Sequence, residues 1–271
     1  MSSKENNGIR RVILLGRKEG ASDALSFLLA QGVEVPLVVA KKDEPLSRAL
    51  AKEAPQKGIP VFSSAKEVYE LIHKKDPRVQ NIDLVISYLF WGKIEEPLLS
   101  LGKKGCVNFH PAPLPDYKGR AGYNTAILDE RKTFGVSAHF IDSAQFDVGP
   151  IIDVLEFPFD AKTATALSLE RESQTHLFTL FTKVLLFFLA GKPLPTKENN
   201  GGVYLTGPEL EKLKVVNPAT DTAEEVEKKV RAFFFPPYSG AKITIDGKDF
   251  TLIDESILNF LAEQLRKQDN A

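Results

Sequence analysis

Residues 10 to 16 read Arg-Arg-Val-Ile-Leu-Leu-Gly, a short apolar run that ends in a glycine and predicts a buried strand. Residues 21 to 31 then place leucines at helical spacing, and Gly32 predicts the end of that helix. The same alternation continues along the chain, with strands expected over 34–40, 58–62 and 83–87 and a helix over 64–73. Apolar strands that alternate with helices are typical of a parallel sheet covered on both faces. The first half therefore predicts an α/β fold with a Rossmann-like, doubly wound, mostly parallel sheet.

The second half has a different pattern. Residues 135–141 and 151–157 are rich in strand-forming residues, have no helix between them, and are expected to pair as a hairpin. A long amphipathic helix is predicted over 165–190. Residues 192–202 are rich in proline, lysine, asparagine and glycine, and they predict a linker.

The last part of the chain predicts a small C-terminal α+β subdomain. It contains a helical segment at 222–233 and a hairpin that turns at Asp246-Gly247. The expected organisation is a catalytic domain over residues 1–191, followed by a linker and this subdomain over 192–271.

Composition limits the classes of protein that fit. The 271 residues are 43% hydrophobic and 26% charged, with a net charge of −1, as in soluble globular proteins without a nucleic-acid-binding excess of positive charge. The single cysteine excludes an internal disulfide and a multi-cysteine zinc site, so a reducing compartment and no metal are expected. The polar amino-terminal segment does not resemble a secretory signal, and the longest apolar run, 184–190, is far shorter than the ~20 residues of a membrane span.

Candidate catalytic residues lie in the stretch 105–120, Gly-Cys-Val-Asn-Phe-His-Pro-Ala-Pro-Leu-Pro-Asp-Tyr-Lys-Gly-Arg. Asn108 and His110 are two apart at the end of an apolar strand, so both side chains point to one side of the sheet. Ligands bind at the carboxyl ends of such strands, and the three prolines that follow are expected to hold the chain extended. Asp147 lies on a later Phe-Asp-Val-Gly turn. An amide, an imidazole and a carboxylate without a placed serine or cysteine suit acyl transfer to a nucleophile supplied by the substrate.

The same motifs resemble the folate-dependent formyltransferase superfamily. They are Asn-x-His-Pro at 108–111, Leu-Pro-x-Tyr-Lys-Gly at 114–119, Gly-Val-Ser-Ala-His-Phe at 135–140 and Phe-Asp-Val-Gly-Pro-Ile at 146–151. The resemblance covers about residues 83–157. It implies a cytoplasmic enzyme that moves a formyl group from 10-formyltetrahydrofolate, its cosubstrate, to a primary amine.

The resemblance also implies roles for the three polar residues. Asn108 would donate a hydrogen bond to the oxyanion, and His110 would stabilise that charge or protonate the leaving folate nitrogen. Asp147 would orient His110, raise its proton affinity and take up the amine proton. His139, inside the third motif, is expected to have a buried structural role instead.

Binding residues follow from the resemblance as well. The implied folate contacts are Tyr88, Leu89, Phe90, Trp91, Ile94, Ile141, Asp142 and Ala144. The implied acceptor contacts are Lys118, Arg120 and Tyr123. Phe90 and Trp91 also fit a role as ordinary core aromatics, and residues 117–120 also fit a solvated basic loop.

Three alternatives remain for the acceptor and the class. Residues 230–241 and the following hairpin are similar to the tail of nucleotide-sugar N-formyltransferases, which favours a nucleotide-linked amino sugar as the acceptor. A methionyl-tRNA formyltransferase has a similar core, and its acceptor would be the only nucleic-acid partner expected. A catalytically silent folate-binding regulatory protein is the alternative of another class. A homodimer is compatible with all three.

Overall fold

The structure is a computed structural model that describes residues 7–269, so the polar start of the chain, Met1–Asn6, lies outside the described residues. Its strands are β1 (Val12–Gly16), β2 (Val38–Val39), β3 (Val61–Phe62), β4 (Leu84–Tyr88), β5 (Cys106–His110), β6 (Tyr117–Gly119), β7 (Thr133–Phe140), β8 (Ile151–Pro158), β9 (Val203–Leu205), β10 (Lys242–Ile245) and β11 (Lys248–Thr251). Seven of them form the central sheet, in the order β3-β2-β1-β4-β5-β7-β8.

The sheet is mostly parallel, as the sequence predicted. Strands β1 to β5 pair in parallel, whereas β7 runs antiparallel to β5. The order reverses at β1, because β2 lies on one side of it and β4 on the other. The carboxyl ends of β1, β4 and β5 therefore meet at the kind of edge where doubly wound folds bind ligands.

The helices are α1 (Glu19–Ala30), α2 (Arg48–Gln56), α3 (Ala65–His73), α4 (Gly122–Leu128), α5 (Ala166–Leu189), α6 (Gly207–Leu213), α7 (Ala223–Phe233) and α8 (Glu255–Asp269). Helix α1 buries Ala21, Leu25 and Leu28 at the spacing that the sequence showed. Helix α5 inserts Phe181 between core aromatics, with its ring centroid 5.7 Å from that of Tyr88 and 5.0 Å from that of Phe109.

The chain folds as two compact units. The first comprises residues up to 119, 135–156 and 173–203, and it contains β1 to β6. The second comprises 120–134, 157–172 and the residues from 204 onward, including α4, α7 and the β10–β11 hairpin. This division differs from a boundary at residues 191–192, because 192–203 belong to the first unit and two earlier segments belong to the second.

The apolar strands build the core of the first unit. One cluster packs Ile13, Leu15, Val39 and Val85 with the buried thiol of Cys106, the only cysteine in the sequence. Burial raises the pKa of that thiol, because a thiolate is poorly solvated in apolar surroundings. Strand β5 is therefore anchored in the core at its first residue, Cys106, while Asn108 and His110 lie toward its other end.

Candidate active site

Asn108 is oriented by the neighbouring strand. In the parallel pairing of β4 with β5, Ser87 lies directly beside Asn108, and its hydroxyl donates to Asn108 Oδ1 at 2.7 Å. Since the oxygen of the amide is held there, the donor nitrogen Nδ2 faces the other way, 3.0 Å from His139 Nε2 and 3.4 Å from Asp147 Oδ1. Ser87 was not singled out in the sequence; its place at the end of a buried strand was the available signal.

His110 is held from behind by the chain that follows it. The sequence analysis expected the prolines at 111, 113 and 115 to hold this chain extended. Instead the chain turns, and Tyr117 N donates to Pro113 O at 3.2 Å. The turn places the Tyr117 carbonyl oxygen 2.9 Å from His110 Nε2. Because a carbonyl oxygen only accepts, Nε2 carries a proton, and Nδ1 is the nitrogen left to exchange one.

Asp147 is buried, with 7% of its surface exposed, on a turn where its own φ is 55°. This left-handed conformation is uncommon for residues other than glycine. Asp147 Oδ2 accepts from Gly119 N at 2.8 Å. Its Oδ1 lies 3.4 Å from His110 Nδ1, so the predicted imidazole and carboxylate face each other.

His139 lies in the same cluster. It is 1% exposed, in line with the buried position expected for it, and its Nε2 lies 3.3 Å from Asp147 Oδ1. The cause is strand register: His139 pairs with Asn108 across the antiparallel β5–β7 ladder. Its Nδ1 lies 2.8 Å from Phe140 O, so Nδ1 carries a proton and the neutral ring accepts from Asn108 at Nε2.

The electrostatics of the cluster set the charge states of the carboxylate and of the His110 imidazole. Burial would raise the pKa of Asp147, but His110, His139 and the Gly119 N–H outweigh it and lower that pKa to about 2. Burial lowers the pKa of His110, and the charge of Asp147 only partly opposes this. At neutral pH the site therefore contains an ionised carboxylate beside a largely neutral imidazole, which is able to take up a proton.

The residues expected to contact a folate have different surroundings. Tyr88 is completely buried and Ile94 belongs to the core, so neither side chain is exposed to a ligand. Phe90 and Trp91 are half-buried at the carboxyl end of β4, with ring centroids 4.4 Å apart. Leu89 is buried with a φ of 56°. In the second loop Ile141 packs against the core, whereas Asp142 and Ala144 are exposed.

The residues expected to contact the acceptor are divided between the units. Lys118 lies in the first unit, and its Nζ donates to the backbone oxygen of Asn199 at 3.0 Å. Arg120 and Tyr123 lie in the second unit, where Arg120 is exposed and Tyr123 is half-buried. The Lys118 ammonium is thus already engaged by the protein's own backbone.

The described residues 7–269 contain neither a metal site nor a membrane-spanning helix. Within that range, no group of histidine, cysteine, aspartate and glutamate side chains could hold a metal ion. Also within it, every helix is too short or too polar to cross a lipid bilayer.

Residues 11–185, more than half of the chain, match the family described as formyl transferase. The chain belongs to this family. The protein is accordingly a folate-dependent formyltransferase, an enzyme of one-carbon transfer.

Individual relatives include enzymes with two kinds of acceptor. This formyltransferase is 29% identical to the methionyl-tRNA formyltransferase of Thermotoga neapolitana, over 89% of this chain and 78% of the relative. It is 28% identical to the GDP-perosamine N-formyltransferase of Brucella melitensis, over 88% of this chain and 90% of the relative. A 4-N formyltransferase from Francisella tularensis shares its fold, with a TM-score of 0.74 at 18% identity, over 91% of this chain and 97% of the other.

Proposed function

We propose that this enzyme transfers the formyl group of 10-formyltetrahydrofolate to the amino group of a nucleotide-linked amino sugar. The charge of the C-terminal residues carries the choice of acceptor. Residues 204–271 contain 12 acidic and nine basic side chains, an excess of negative charge that disfavours a polyanionic tRNA. A small, compact acceptor does not need an extended positive surface.

Three residues would carry the chemistry. One hydrogen of Asn108 Nδ2 is directed at His139 Nε2, 3.0 Å away. The other makes only a long 3.4 Å contact with Asp147, and it is available to the oxygen that becomes negative when the amine attacks the formyl carbon. His110 Nδ1 is the nitrogen able to receive a proton from the attacking amine or to return one to the leaving nitrogen. Asp147, ionised, would stabilise the imidazolium that forms.

The described residues fit a folate at the neighbouring strand end. The half-buried Phe90–Trp91 pair follows β4 directly, and β4 pairs with the strand of Asn108. Aromatic faces of this kind favour planar heterocycles such as a pterin. Leu89, between β4 and this aromatic pair, has a left-handed conformation with a φ of 56°. When bound, the folate would supply the activated formyl group.

A methionyl-tRNA acceptor is the second candidate. The relation to the enzyme of Thermotoga neapolitana, over 89% of this chain, is the observation that favours it. Identity does not separate the two candidates, because the Brucella enzyme is equally similar. Charge is the feature that separates them.

The test is to incubate the purified enzyme with 10-formyltetrahydrofolate and a panel of nucleotide-linked amino sugars, with methionyl-tRNA in parallel. We expect a formylated sugar and free tetrahydrofolate in equal amounts. Titration with a non-reactive folate analogue should change the fluorescence of Trp91, the only tryptophan in the sequence. Formylation of methionyl-tRNA alone would contradict the sugar assignment, and a silent titration without heat of binding would contradict the folate site.

A further inference from the structure

We propose that Asn199 is a positioning residue for Asp147, and that residues 197–203, here called the strap, keep the Asp147 turn in its working geometry. The inference rests on the proposed formyl transfer, in which Asp147 acts through His110. The sequence predicted only a linker in this region, and no role follows from its composition.

The Asn199 side chain binds the backbone of the Asp147 turn. Its side-chain Nδ2 donates to two carbonyl oxygens, that of Asp147 at 2.9 Å and that of Gly149 at 2.9 Å. The side chain is buried, with 8% of the residue exposed, and its Oδ1 has no hydrogen-bond partner among the described residues. An asparagine buried at the cost of an unsatisfied oxygen indicates that its two donor contacts are the reason for its place.

The strap itself is attached to the site at several points. Lys197 exchanges two backbone hydrogen bonds with Ile151, at 2.8 and 2.9 Å, immediately after the Asp147 turn. Val203 N donates to Asp116 O at 3.0 Å, within the loop that supports His110. Lys118 Nζ bonds to the backbone oxygen of Asn199 between these ends. The strap therefore joins the loop behind His110 to the turn of Asp147.

The close fit at Gly202 shows how tightly the strap lies on that loop. A Cβ at Gly202 would meet the Pro115 carbonyl oxygen at 1.6 Å, so only glycine fits there. Gly201 has nearly the same conformation, with a φ of 77° against 79°, but a Cβ there would meet no atom of residues 7–269 within 4 Å. The two glycines differ in contact and hardly in backbone strain.

Asp147 needs this support because its backbone conformation is unfavourable and the residues before it are exposed to solvent. Its φ of 55° is strained, and the preceding Ala144, Gln145 and Phe146 are exposed. Its Oδ1 already lies at the long end of hydrogen-bonding distance from both imidazoles. Since a displacement of about 1 Å in a reacting group can cost on the order of 100-fold in rate, a loosened turn should impair the chemical step.

The first experiment compares three variants at the strap. Asn199→Ala removes the donors, and Asn199→Asp keeps the volume but presents oxygen to the two carbonyl oxygens. Asn200→Ala is the matched control, because Asn200 is exposed and its side chain donates to Glu198, not to the Asp147 turn. We expect kcat to fall about tenfold or more in both Asn199 variants, with KM for folate and acceptor within about twofold of the wild-type values and Asn200→Ala unchanged.

The second experiment uses the glycine pair, so that the test survives if an Asn199 variant does not fold. Gly202→Ala should lower kcat more than Gly201→Ala does, because both variants introduce the same backbone strain but only the first must move the strap off Pro115. Equal kcat values in the two glycine variants would contradict the role of the strap. Activity of Asn199→Asp within twofold of wild type would contradict the role of the Asn199 donors.

A third readout does not depend on the acceptor. We expect an NMR pH titration of the His110 ring to show a lower pKa in Asn199→Ala than in wild type, because a displaced Asp147 no longer favours the imidazolium. His139 and the Tyr117 carbonyl, which also face His110, are unchanged in that variant. An unaltered titration with a lower melting temperature would show a purely structural role. If the wild-type enzyme formylated none of the acceptors, the proposed function would fail while this titration still decided the inference.

Discussion

Asp147 lies between two imidazole rings, and each ring is held on its far side by a backbone carbonyl oxygen. Tyr117 O accepts from His110, and Phe140 O accepts from His139. Each carbonyl fixes which nitrogen carries a proton, and the other nitrogen of each ring faces Asp147. The rings cross at 78°, and this geometry allows one carboxylate oxygen to meet both.

Replacement of either partner should remove most of the turnover. His110→Asn and Asp147→Asn should each lower kcat by ~100-fold or more with the fold retained, because a general acid-base group contributes at least that much. Steady-state kinetics with circular dichroism as the folding check measures this. Asp153→Asn is the control, since the Asp153 carboxylate forms an ion pair with Lys183, 2.7 Å away, and not with the reacting groups. Near-normal kcat in either active-site variant would refute the assignment.

We expect His139→Asn to lower kcat as well as the melting temperature, because His139 contacts both Asp147 and Asn108.

The shifted pKa values predict that stability falls on acidification. His110 has a lowered folded pKa, so the unfolded chain binds its proton first and stability declines as pH drops below about 6.5. Asp147 has a folded pKa of about 2 against 3.8, and it contributes about 2 kcal/mol that is present above pH 4 and lost as pH approaches 2. Urea unfolding at pH 7.5 and 5.5 should show a smaller loss for His110→Asn than for wild type. Equal losses would mean that this imidazole is not buried in its neutral form.

At the level of elements, helices α6 and α7 begin with the same type of N-terminal cap. Thr206 caps α6 and Thr222 caps α7, each in a capping box with a glutamate three residues later. Their packing differs, because α7 buries Val230, Ala232 and Phe233, whereas α6 buries no residue. A cap matters to global stability only when its helix is part of a cooperative core.

Thr222→Ala should therefore lower the free energy of unfolding by about 1 kcal/mol, the usual contribution of such a cap. Thr206→Ala should lower it much less, since α6 can fray without exposing buried side chains. Chemical denaturation of the two variants beside wild type measures the difference. Equal losses would show that α6 unfolds together with α7.

The sequence predicted those elements whose pattern is local. The apolar runs of β1 and β4 and the leucine spacing of α1 are visible within a few residues, and so was the end of β5 at Asn108 and His110. The strap was not visible, because one asparagine bonded to two distant carbonyl oxygens leaves no periodic signal. The contact of His139 with the site was not visible for a related reason: its place opposite Asn108 depends on the register between β5 and β7, which a single strand does not reveal.

At the level of the molecule, charge balance sets the expected response to salt. With 35 basic and 36 acidic side chains, the enzyme offers a small ligand a few compact contacts and no strong long-range field. Formylation of a nucleotide-linked amino sugar should therefore change only modestly between low and physiological salt. A tRNA acceptor would lose affinity with a slope of about −0.9 in log affinity against log salt for each phosphate contact released. Steep dependence, measured with both acceptors, would favour tRNA.

The buried Cys106 has a consequence for following the enzyme's motions. Its thiol is enclosed in the apolar cluster under the strand that ends in Asn108 and His110, and burial raises its pKa. A thiol-specific reagent such as a maleimide can therefore react only when that strand opens to solvent. Because the sequence has no second cysteine, the labelling rate counts openings of the catalytic strand alone. A bound folate that stabilises the strand end should slow this labelling, so one residue with no part in catalysis reports occupancy of the site in real time.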